Sequence, residues 1–205
     1  MVIDYYFSHN SPWAYLGSAR FAEIARRAGA AVAVRPVDFG RIFPQSGGLP
    51  LPKRAPQRQA YRLVELARWR DHLGVPLTLH PKAFPSPEGD RVRMVLALRD
   101  AEGDAAALRL AHGFMAALWA EDADVNDPAV LDAVAGRLGF DGPALRRRGA
   151  DPAITALFDA DTDRAIAAGV FGAPSYVVEG EIFWGQDRLD FLARRLGVAS
   201  SGPAD

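Results

Sequence analysis

Three short stretches carry residue types suited to chemistry. The first is Ser11-Pro12, inside "DYYFSHNSPWAYLGSARF" at 4–21. Ser before Pro is an ordinary helix start, with Ser at the N-cap and Pro at the first helical position. Its place adds to that. It follows the strand-like "VIDYYF", and open α/β sheets bind ligands at the carboxyl ends of their strands. A helix start there offers unpaired N–H groups and a positive dipole end, which suit an anion such as a thiolate. Many redox proteins carry Cys-X-X-Cys at such a turn, yet this chain has no cysteine. Disulfide exchange by the protein and thiolate metal sites are therefore excluded. The second stretch is Ala173-Pro174 in "GVFGAPSYVV". A proline there opens a strand, as trans prolines commonly do. A cis bond would instead present the preceding backbone to an extended peptide for strand-like pairing. The third is Gly185-Gln186-Asp187, where Asp187 complements the start of a last helix or its donors hold a charged ligand.

The elements that must position these residues follow from periodicity. Residues 2–7 predict a buried strand, 12–28 a helix capped by Gly29, and 30–39 a second strand. Strand, helix, strand in so short a span is a βαβ unit, so the strands should be parallel. From 40 to 60, Pro and Gly exclude a long helix or central strand. "QRQAYRLVELARWRDHLG" predicts a helix ending at Gly74, and 91–102 and 104–120 predict two more. Asp127-Pro128, Gly142-Pro143 and Asp151-Pro152 each mark a helix start. Residues 60–168 thus read as almost all helix. "APSYVVEGEIFWG" predicts a hairpin turning at Glu179-Gly180, followed by an amphipathic helix carrying Leu189, Leu192 and Leu196. The fold class is α/β: a thioredoxin-like fold with a large all-helical insertion. Residues 1–40 and 160–198 form the discontinuous thioredoxin-like domain, 41–159 the helical insertion, and 199–205 a flexible tail.

Composition narrows the function. Lys plus Arg number 24 and Asp plus Glu 25, a balance that argues against nucleic-acid binding. The only basic run, "LRRRGA" at 145–150, suits a solvated helix end. No apolar run approaches the roughly 20 residues of a membrane span, and the N-terminus has no basic leader. A cytoplasmic protein without membrane partners is expected. His72, His80 and His112 lack metal-ligand spacing, so no metal is expected.

Together, "YYFSHNSPWAYL", "KRAPQRQAYRLVELARW" and "GVFGAPSYVVEGEIFWGQDRL" span essentially the whole chain. On these motifs it resembles the 2-hydroxychromene-2-carboxylate isomerases, which belong with kappa-class glutathione transferases and the DsbA-like thioredoxin superfamily. The resemblance implies a glutathione-dependent, homodimeric enzyme of aromatic-compound breakdown. It implies Ser11 as the catalytic residue beside the glutathione sulfur. It implies Pro174 as the cis-proline, Ala173 as the paired backbone, and Gln186 and Asp187 as the γ-glutamyl-binding pair. Arg58 stands where relatives often carry a glutathione-contacting Lys, with Lys53 and Arg54 nearby. Ser8-His9-Asn10 departs from the commoner acidic and aromatic residues.

The chemistry implied is addition of a glutathione thiolate to a conjugated carbon, rotation about the resulting single bond, and elimination. A kappa-like transferase would release the adduct instead, and a non-catalytic glutathione- or peptide-binding protein would do neither. His9, Trp13 and Tyr61 are the expected contacts to an aromatic substrate, with Phe43 as a further candidate. Tyr61, Glu65 and Arg68 share one helical face, a pattern that most often marks surface pairs worth little; facing the cleft, they would orient a polar group. Tyr15 and Trp184 read as core aromatics.

Overall fold

Strand β1 (Val2–Phe7) sends alternate residues to two buried faces. Ile3, Tyr5 and Phe7 join the main core, while Tyr6 joins a smaller one on the opposite face. The computed structural model describes residues 1–199; the expected tail lies, from 200 on, outside the described residues. β1 is central in a four-stranded sheet of order β2-β1-β3-β4. Strand β2 (Ala31–Pro36) runs parallel to β1, so the βαβ reading holds. Strand β3 (Ser175–Val178) pairs antiparallel with β1 and places Tyr176 opposite Tyr5. Strand β4 (Glu181–Trp184) returns from β3 through Glu179 and Gly180, both at positive φ, as a tight hairpin requires.

Helix α1 (Pro12–Arg27) buries Tyr15, Leu16, Phe21 and Ile24 against the sheet. Gly29, at φ +59°, ends it as expected. Two expectations for the next segment change. The second strand stops at Pro36 instead of 39, because Asp38 turns the chain and caps helix α2 (Phe39–Ser46). Its Oδ1 accepts from the Gly40 N–H at 2.7 Å. Pro44 sits inside α2, which a helix of two turns tolerates before Gly47 ends it at φ +73°.

From α3 (Pro56–Leu73) the chain is helical. It continues through α4 (Gly89–Glu102), α5 (Asp104–Trp119), α6 (Pro128–Arg137), α7 (Gly142–Gly149) and α8 (Pro152–Ala167). The cap of α7 is Asp141, not Gly142, since its carboxylate accepts from the Ala144 N–H at 2.9 Å. Helices α4 and α5 each bury about half their residues and continue the sheet's main core without a break. The expected boundary at 159/160 falls within continuous α8. Helix α8 covers the smaller core and carries Asp161, 3 % exposed, which bridges Arg35 (2.5 Å) and Arg99 (2.6 Å). Helix α9 (Leu189–Arg195) closes the fold with Leu189 and Leu192 fully buried. Among the described residues, no helix is long and apolar enough to cross a membrane.

Candidate functional site

The turn after β1 is pinned from below. Ser8 Oγ donates to Glu88 Oε1 at 2.5 Å, and the His9 N–H to Glu88 Oε2 at 2.7 Å. Asn10 Nδ2 donates to the Ser86 carbonyl at 2.7 Å, and Trp119 Nε1 to the His9 carbonyl at 3.1 Å. The His9 ring is fully buried against Phe7 and Phe114, with Nδ1 3.5 Å from Glu88. Burial pushes the His9 pKa down; the Glu88 carboxylate opposes this and the Arg91 charge adds to it. Burial alone would raise the Glu88 carboxyl, but His9, Arg91 and the Ser8 hydroxyl together hold it below its ordinary value. His9 is therefore a support of the turn, not a substrate contact on the pocket surface as expected.

Above this support, Ser11 caps α1 by accepting from the Ala14 N–H at 3.1 Å, and its hydroxyl donates to the Ala173 carbonyl at 3.2 Å. So residues 162 positions apart in sequence meet here. The Trp13 N–H, one turn-position on, has no acceptor among the described residues. The Ala173–Pro174 bond is cis, and the Ala173 N–H likewise has no acceptor among the described residues. The Pro174 carbonyl accepts from the Gly185 N–H at 2.9 Å. Gly185, at φ +98°, turns the chain so that Gln186 packs on Gly17 of α1. A methyl at Gly17 would lie 2.7 Å from the Gln186 Cβ. Gln186 is 1 % exposed; its Oε1 accepts from Arg20 at 3.0 Å, while its Nε2 has no partner among the described residues. Asp187 pairs with Arg188 at 2.8 Å.

A cavity of about 560 Å³ joins these residues to α3. Of the expected site residues, Trp13, Arg58, Tyr61, Ala173, Gln186 and Asp187 line it, and Ser11 borders it through Ala173. Arg54 lines it as well, whereas Lys53 does not. Phe43 stacks on Phe39 away from it. Tyr15 is core, as expected, with its hydroxyl donating to the Pro76 carbonyl at 2.9 Å. Trp184 corrects its expectation: it is 51 % exposed, stacks on Phe171 and walls the cavity. It approaches Gly172 so closely that a Cβ there would stand 2.3 Å from its Nε1. An edge strand exposes one face, and apolar content alone does not say which.

Sequence reasoning missed Arg62 and Trp69, which complete two rows, one along α3 and one that starts at Arg54 just before it. Arg54, Arg58 and Arg62 recur every four residues, as do Tyr61, Glu65 and Trp69. The wall is strongly cationic. Glu65 pairs with Arg68 at 2.6 Å and Asp187 with Arg188. Arg54, Arg58 and Arg62 have no carboxylate partner among the described residues. Burial lowers the Arg54 pKa, with Arg58 adding to it; burial, then Arg54, brings Arg62 down to about 10. The arrangement is an anion-accepting cavity with aromatic walls and a hydroxyl at a helix start.

Comparison with known proteins fits this geometry. A DSBA-like thioredoxin domain matches residues 2–197. The 2-hydroxychromene-2-carboxylate isomerase of Sphingobium xenophagum is 30 % identical over 191 residues, covering 93 % of this chain and 95 % of that protein. This chain belongs to the DsbA-like thioredoxin family, among the 2-hydroxychromene-2-carboxylate isomerases. Within that family, the Pseudomonas putida isomerase is 28 % identical over 100 % of this chain and 98 % of its own. A solved 2-hydroxychromene-2-carboxylate isomerase structure superposes with a TM-score of 0.79 at 28 % identity, covering 96 % of this chain and 95 % of that one. A probable DsbA oxidoreductase from Streptomyces coelicolor shares the fold at a TM-score of 0.72 and 20 % identity.

Proposed function

We propose that this protein is a glutathione-dependent cis–trans isomerase of 2-hydroxychromene-2-carboxylate or a related aromatic enone carboxylate. The carrying observation is the meeting of Ser11 and Ala173 at the edge of a cavity whose other wall holds three arginines that pair with no carboxylate among the described residues. Its size lies within the range of small-molecule sites. The residues fit glutathione. Among the described residues, Ala173 keeps an unused N–H beside a carbonyl whose one donor is the long Ser11 bond, which suits pairing with a peptide backbone. The buried Gln186 Nε2 lacks an acceptor among the described residues, and Gln186 with Asp187 would hold the γ-glutamyl end. Arg58 would face the outer carboxylate.

When bound, glutathione supplies the thiolate that adds to the conjugated carbon and leaves it again. The chain's own residues prepare that site. Ser11 turns its single proton from the Ala173 carbonyl to the sulfur, and the Trp13 N–H and the α1 dipole add positive potential. All three favour the charged thiolate. Trp13, Trp69 and Trp184 offer flat apolar surface to an aromatic ring and exclude water. With serine in place of cysteine, no mixed disulfide competes with addition.

The test is a spectrophotometric assay with the hydroxychromene carboxylate in large excess over glutathione. Isomerisation with glutathione regenerated is the expected result. Consumption of glutathione in proportion to substrate would make the protein a transferase. Glutathione binding without turnover would make it a binding protein.

A further inference from the structure

Arg62 is the most desolvated arginine lining the cavity, and among the described residues its only contacts of charge character are with aromatic rings. Its guanidinium lies 5.4 Å from the ring centroid of Phe84 and 5.8 Å from that of Trp119. Those two rings pack on each other at 4.9 Å, and Trp119 is fully buried and held by its bond to the His9 carbonyl. The head group therefore rests on a rigid platform, and its planar fork matches a carboxylate bidentately. No carboxylate lies within ion-pair distance among the described residues, and no hydrogen bond holds it. The nearest like charge, Arg54, lowers its pKa further. A desolvated guanidinium without a counter-ion is unfavourable, and a bound anion relieves it. Glu65, the acid nearest along the helix, is engaged by Arg68.

We propose that Arg62 is a specificity-determining residue that pairs with the carboxylate of the aromatic substrate. It thereby selects carboxylates over neutral rings of the same shape. This rests on the isomerase reading for the identity of the substrate. Three of its surroundings decide the group it takes. Trp69 and Tyr61 on the same helix flank a ring, not a phosphate. Arg58 is exposed and Arg54 is less desolvated than Arg62, leaving the most desolvated cation to the substrate's anion. Trp13 places that ring beside the Ser11 turn.

The experiment measures binding without turnover. Chromone-2-carboxylate and its neutral carboxamide are titrated calorimetrically into the wild type, Arg62→Gln and Arg62→Lys. The wild type is expected to favour the carboxylate by about ten- to a hundredfold, the strength of a charge-assisted hydrogen bond. Arg62→Gln should abolish that preference, with carboxamide affinity and glutathione affinity both within about twofold of wild type. Arg62→Lys keeps the charge but loses the fork, and should recover only part of the preference. In the isomerase assay Arg62→Gln should raise KM and leave kcat nearly unchanged. If Arg62→Gln keeps the carboxylate preference, or if both variants lose glutathione binding as well, the proposal is overturned. A wild type that discriminates the two probes but does not isomerise sinks the isomerase reading and leaves Arg62 as the carboxylate anchor. Turnover with unchanged KM in Arg62→Gln does the reverse.

Discussion

Replacing Ser11 separates its two tasks. Its oxygen accepts from the Ala14 N–H at 3.1 Å, and its proton goes to the Ala173 carbonyl at 3.2 Å. Ser11→Ala removes both. The lost cap costs about 1 kcal/mol and the neutral hydrogen bond about as much again. At about 2–4 °C per kcal/mol for a chain of this size, the melting temperature should fall by roughly 4–8 °C. Ser11→Gly also removes both groups, but glycine at an N-cap costs only a few tenths of a kcal/mol. Its melting temperature should therefore lie nearer wild type. Turnover should not follow that order. Both variants lose the proposed donor to the glutathione thiolate, worth about 1.5–3 kcal/mol, so kcat should fall about ten- to a hundredfold in each. Ser11→Thr keeps hydroxyl and cap and should stay close to wild type in both measurements. The assays are thermal unfolding and steady-state isomerisation, with the ultraviolet absorbance of the bound thiolate as a check. Turnover that tracks stability across the three variants, or full turnover in Ser11→Ala, would refute the assignment.

Further outcomes are expected elsewhere. Asp161→Ala should destabilise the protein by about 3–5 kcal/mol in urea unfolding, because Arg35 and Arg99 are then left partly buried without a shared carboxylate; a loss below 1 kcal/mol contradicts this. The pH dependence of stability should carry the mark of His9. Its folded pKa lies below the ordinary 6.5, so the unfolded chain binds the proton first and stability falls as pH drops below about 6.5. Glu88, also held below its ordinary value, adds loss in the same direction at lower pH. His9→Phe should flatten the part between pH 7 and 5, read from urea midpoints; an unchanged slope would show that His9 does not set it.

Local signals in the sequence survived where one residue decides the backbone. Ser11 before Pro12, Gly29 after α1 and the Glu179-Gly180 turn all act within a few residues, and each appears as read. The element order held for the same reason, since 3.6- and 2-residue periods are set by nearest neighbours. What stayed hidden depends on distant partners. His9 is buried because Glu88, 79 positions away, takes its N–H and Phe114 packs against its ring. Trp184 is exposed because β4 is an edge strand, a property of the sheet order. Arg62 is desolvated because Phe84 and Trp119 lie beneath it. The α2 helix was masked by Pro44, although Asp38 at its start was a readable cap.

Helix α3 carries Arg58, Tyr61, Arg62, Glu65 and Trp69 into the cavity, yet only Leu66 among its residues is fully buried. The opposite wall, from Ser11 through Ala173 to Gln186, is built from strand ends and buried backbone. The two walls therefore differ in how freely they can diverge. Substitutions along α3 meet few packed neighbours and typically cost little stability, while changes opposite it disturb the sheet. An architecture of this kind lets side chains be exchanged along a single helix while the wall opposite stays fixed by the sheet.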